Sequence, residues 1–223
     1  MENAIIQASD ATYPVLESLT LDTVSPLSKK ITKLLTTKVP TEKLTKALVD
    51  GTDTLLSVPD DNINKFVSTV KASYQDINID TCTKLPIPEE SLSLLTESEA
   101  FSNIQTEKIQ QVNDRIINPI VKSIPSPEKG AICLPSKQGL SEVWLGQTKL
   151  VLAIPTPMKQ KFGADLAPVV SSIPNSDLLR ILPDAKKILS GVDRKQAFKF
   201  QESSKNLDKA LKQDYRFKSL QAF

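Results

Sequence analysis

The sequence predicts a mainly α protein, a proline-punctuated bundle of short helices with one small β-hairpin near 142–154. Three observations predict it. Apolar side chains recur every three or four residues along most of the chain, which places them on one face of a helix. Prolines stand beside capping residues at the starts of these runs, where a missing N–H costs nothing. One stretch reads instead as paired strands: 142–145 and 149–154 flank Gly146-Gln147, with glycine at the first central position of a tight turn.

The elements follow in chain order. Ser25-Pro26 opens a run with Leu27, Ile31, Leu34 and Leu35 on one face. Pro40-Thr41 opens Leu44, Ala47 and Leu48, and Gly51 reads as its stop or kink. Pro59-Asp60 opens the clearest helix of the first half, with Ile63, Phe66, Val67, Val70 and Tyr74 in period. Residues 77–87 read as a connector, because Pro86 and Pro88 forbid a helix between them. Pro88-Glu89-Glu90 starts the next helix, its two acids suited to the positive end of a helix dipole. Ser102 begins the longest predicted helix, and Pro119 predicts a kink or an end near Asn118.

Residues 123–130 are a loop by composition, and 131–134 is extended. After the predicted hairpin come short helices over 164–172, 176–182 and 183–190, the last capped by Gly191. Asp193 opens a C-terminal helix with Leu207, Ala210, Leu211 and Tyr215 as its apolar stripe. The loop suggests two regions. Residues 1–124 form an N-terminal helical part, and 125–223 form a C-terminal part with the hairpin and a basic helix; one domain would also accommodate both. Ser57-Val58-Pro59, Ser123-Ile124-Pro125 and Ser172-Ile173-Pro174 look alike, but their spacings are unequal. They read as helix stops rather than a repeat.

The chain has no histidine, six glycines and two cysteines. Histidine-based triads, HExxH zinc sites and glycine-rich phosphate loops are therefore not expected, and neither is any cofactor or metal. Asp60-Asp61 and Glu89-Glu90 follow prolines at helix starts, where capping explains them. Ser126-Pro127-Glu128-Lys129 matches SxxK only formally, since Pro127 and Gly130 place it in a loop. Cys82 and Cys133 are far apart and lie outside any CxxC, so reduced thiols in a reducing compartment are expected. No run of about 18 apolar residues predicts a membrane span. The N-terminus lacks the basic and apolar regions of a secretory signal, and the expected location is the cytoplasm or a virion.

The net charge of +2 conceals segregation. Residues 50–99 hold ten acids and three lysines, whereas 186–218 hold ten bases and four acids. The bases are Lys186, Lys187, Arg194, Lys195, Lys199, Lys205, Lys209, Lys212, Arg216 and Lys218, interleaved with Phe198, Phe200, Tyr215 and Phe217. Charge with interleaved rings is what a single-strand nucleic-acid groove uses. The same rings, with Trp144, are candidate anchors of a protein interface. The leading expectation is a non-enzymatic structural or assembly protein. It would act through protein–protein contacts with other subunits, its own or different, as in a virus or phage particle. The alternative is a nucleic-acid-binding accessory that uses 186–218.

Overall fold

The structure is a computed structural model that describes residues 1–214. It is mainly α, and among the described residues its sheet is one antiparallel pair of short strands. The elements are α1 (Glu2–Glu17), α2 (Leu21–Lys38), α3 (Thr41–Leu56), α4 (Asp60–Ser73), β1 (Lys84–Pro86), α5 (Glu89–Thr96), α6 (Glu99–Ser102) and α7 (Thr106–Val112). A π-helical turn, Asn113–Ile117, leads into α8 (Asn118–Val121). Then follow β2 (Ala131–Cys133), α9 (Lys137–Ala153), α10 (Thr156–Ser171), α11 (Asn175–Leu179), α12 (Leu182–Ser190) and α13 (Arg194–Gln213).

Proline does set the helix starts. Pro40, Pro59, Pro88, Pro155 and Pro174 each stand immediately before a helix. Pro119 does not end the helix at Asn118: α8 runs through it to Val121. The chain absorbs the missing N–H in the widened π turn just before it. Gly51 does not stop α3, which runs on to Leu56. Ser102 ends α6 rather than opening a helix.

The predicted hairpin at 142–154 is wrong in place: that stretch is the interior of α9. Ser136 caps α9, accepting from the Gly139 N–H at 3.0 Å. Helix α9 packs against α4 on one side and α1 on the other. With two faces covered, it lacks the one-sided stripe that marks a surface helix. Its β-branched and aromatic residues then read as strand. Gly146 is a contact point rather than a turn: a Cβ there would lie 3.0 Å from the Phe66 ring of α4. The strands lie elsewhere. Lys84 pairs with Cys133, Leu85 with Ile132 and Pro86 with Ala131. Gly130, at φ +78°, takes the left-handed turn that feeds β2.

Cys82 and Cys133 are joined in a disulfide, so the expectation of free thiols is overturned. Strand pairing brings the two together across a sequence separation of 51. Cys133 is fully buried and packs with Val70 and Tyr74.

Helices α2–α3–α4 and α9–α10–α11/α12 share one layout. Lys38 maps to Ala153, Thr41 to Thr156, Leu56 to Ser171 and Asp60 to Asn175, a constant step of 115 residues (156 minus 41). Leu35, Pro40, Thr41, Lys46, Asp50, Ser57 and Pro59 recur at the same step as Leu150, Pro155, Thr156, Lys161, Asp165, Ser172 and Pro174. The contacts are reciprocal too, as a two-fold relation requires. Leu35 and Val39 cluster with Ile173, and their counterparts Leu150 and Ile154 cluster with Val58. Helix α3 packs on α10, α4 on α9, and α2 on α12. The first and third Ser-apolar-Pro triplets therefore mark one point in two related units, 21–73 and 137–190. The middle triplet belongs to neither.

Between the units, the chain leaves along β1, passes through α5–α8 and returns along β2. This excursion packs on the first unit: α5 on α2, α6 and α7 on α3, and α8 with the π turn on α4. Helices on both sides of the loop at 123–130 thus pack together, and α1 also carries α13.

Candidate functional site

Helix α13 brings most of the predicted basic residues onto one element. Asp193 caps it, accepting from the N–H groups of Lys195 and Gln196 at 2.8 and 3.1 Å. Its inner face, with Ser203 buried and Phe200 and Leu207 half-buried, belongs to a helix that packs on α1. Phe198, two residues from Phe200 and so on another side of the helix, is 68 % exposed. Leu189 of α12 and Arg194, Ala197, Phe198, Lys205 and Asp208 of α13 line an open groove of about 640 Å³.

The structure thus brings Phe198, Phe200, Arg194 and Lys205 together. Lys195, Lys199 and Lys209 are exposed along α13, and Lys212 pairs with Asp208 at 2.8 Å. Lys186 and Lys187 are exposed on α12. Trp144 is half-buried on α9, outside this groove. Tyr215, Arg216, Phe217 and Lys218 lie outside the described residues.

A second cluster, which sequence reading missed, sits where α3 meets α10. Lys46 pairs with Asp165 at 2.7 Å and Lys161 with Asp50 at 2.6 Å. Each lysine reaches the other helix rather than the acid four residues along its own. Lysine before acid at that spacing is the weaker order within a helix, which was the available signal. Both carboxyl groups are buried, and the second oxygens, Asp50 Oδ2 and Asp165 Oδ2, have no other donor.

Burial, with the hydrogen bond to Asp165, holds Asp50 above the usual aspartate range. The hydrogen bond from Asp50, with that from Lys46, holds Asp165 below it. Lys46 and Lys161 are raised, chiefly by their hydrogen bonds to Asp165 and Asp50. The arrangement ties one unit to the other, and both carboxylates are engaged in the tie. Among the described residues, no group of three or more His, Cys, Asp or Glu side chains is placed to hold a metal ion. No described helix is long and apolar enough to cross a membrane.

No protein-family model, curated protein or solved structure matches the chain.

Proposed function

We propose that this chain is a non-enzymatic subunit of a larger assembly and works through protein–protein contacts. The observation that carries the reading is the surface of α11–α13. Leu178, Leu179, Leu182 and Phe198 are large, apolar and exposed there, within a basic surround. Exposed apolar patches rimmed by polar residues mark interaction sites. The disulfide suits an assembly that spends part of its life in an oxidising setting, such as the outside of a particle.

Light scattering on the chain released from its source under native conditions tests this. The expected result is a mass well above the 24.5 kDa of one chain, made up of protein. A lone monomer overturns the reading.

The alternative, nucleic-acid contact by 186–218, is supported by the lysines and arginines around Phe198. Against it, Phe200 is half-buried, so Phe198 is the one exposed ring among the described residues of that helix. Affinity for single-stranded nucleic acid that falls steeply with salt, and is lost on replacing Arg194 and Lys205, would favour it.

A further inference from the structure

The two units differ in what covers their third helix. Ile63 and Val67 of α4 correspond, by the constant step, to Leu178 and Leu182 of α11 and α12. In the first unit Ile63 is 2 % exposed, packed with Ile116 of the π turn and with Val67 and Ile120. In the second, Leu178 is 40 % and Leu182 is 49 % exposed. Further along the same face, Tyr74 is buried against the disulfide sheet, whereas its counterpart Leu189 opens into the groove beside Phe198. Among the described residues, the second unit carries the face without the helix that closes it in the first.

Charge says what fits there. The covering segment of the first unit brings Lys108 to Asp53 at 2.5 Å. It also brings Arg115 to Asp60 at 2.6 Å and to the Leu56 and Val58 carbonyls at 2.9 and 3.2 Å. The counterparts of Asp53 and Asp60 are Pro168 and Asn175, so both acids are gone. The open face carries Lys186, one turn from Leu182, and the groove beside Leu189 carries Arg194, Lys205 and one acid, Asp208, which is paired with Lys212. The rim has lost both acids and keeps its lysine, because Lys186 stands where α4 has Lys71.

We infer that the α11–α12 face, continued by Leu189 and Phe198, is a docking site for an amphipathic helix of another protein. That helix presents aliphatic side chains one turn apart, as Ile116 and Ile120 do, with acidic side chains along its edges. The inference rests on the assembly reading and names the chemistry of the partner. It is an instance of helix-in-groove recognition, in which anchors at helical spacing supply affinity and the rim supplies selectivity.

The probe is a fluorescent, helix-stapled peptide of residues 106–122 carrying Lys108→Glu and Arg115→Glu, titrated against the full chain. The same peptide with the native residues is the comparison. The acidic peptide is expected to bind at least tenfold more tightly than the native one. Leu178→Ser with Leu182→Ser should weaken it at least tenfold; both side chains are already exposed, so the fold survives. Lys186→Glu with Arg194→Glu should reverse the preference between the two peptides. Equal binding of the two peptides, or binding unaffected by the leucine replacements, overturns the site. A chain that forms a large native assembly yet fails these titrations loses only this face. A chain that is a lone monomer in its source loses the assembly reading, whatever the peptides do.

Discussion

Two helices built to one plan end in different surroundings. In the first unit α4 lies under the π turn and α8, and its Arg115 cover is fastened to backbone carbonyls at the α3–α4 corner. In the second unit α11 and α12 meet α2 on one side, and their equivalent apolar positions face outward. The difference shows that burial here is decided by what the chain adds between the units. The apolar pattern of the helix does not decide it, because the pattern is shared. Exposed leucines at Leu178 and Leu182 are what a common plan leaves behind when one copy is covered and the other is not.

The largest test removes the fastening of the first unit's cover. Replacing Cys82 and Cys133 by serine should cost about 4 kcal/mol by the chain-entropy argument for a ring of that size. Denaturant unfolding with and without reductant measures it, and the reduced native protein should match the double variant. Next, Ile63→Ala should cost about 3 kcal/mol, whereas Leu178→Ala should cost less than about 0.5 kcal/mol, although the two positions correspond. Equal losses would mean that the second face is closed in solution.

The junction between the units supplies a test by pH. Asp165 is held low, so its contribution is complete above its unfolded pKa and is lost as pH falls through its folded value. Asp165→Asn should therefore cost about 2 kcal/mol near neutrality and progressively less in acid. Asp50 is held high, so its contribution is complete below its unfolded pKa and is lost as pH rises through its folded value. Asp50→Asn, which keeps the hydrogen-bonding form at every pH, should gain on the wild type over that rise. Thermal unfolding across the acid range reads both signs. The smallest expected effect is a gain. Lys159 is 5 % exposed where the first unit has the buried Leu44, so Lys159→Leu should raise stability by about 1 kcal/mol.

Helix starts were legible because proline and aspartate act locally: Pro59 before α4 and Asp193 at the cap of α13 need no knowledge of the rest of the chain. The mainly α class followed from the same local signals. What was not legible depends on neighbours distant in sequence. Val143, Trp144 and Val151 favour strand by themselves, and packing on α4 and α1 overrides them. Cys82 and Cys133 give no hint of pairing until β1 and β2 set them side by side. The two-unit plan was hidden because few identities carry it and only one copy is followed by an excursion. Of the candidate site, the basic run and its aromatics were visible in order along the chain. The outward turn of Phe198 against the inward turn of Phe200 needed the partner helix α1 to be known.

The ring closed by Cys82 and Cys133 contains every residue of the first unit's cover, α5 through α8. Oxidised, that cover is a clasp hinged at a single point, and it can open only as a whole. Reduced, it becomes an ordinary insertion held by the β1–β2 pairing, the Lys84–Glu128 ion pair and its packing on the first unit. Hydrogen exchange along α4, compared with and without reductant, should report how much the disulfide adds to that hold.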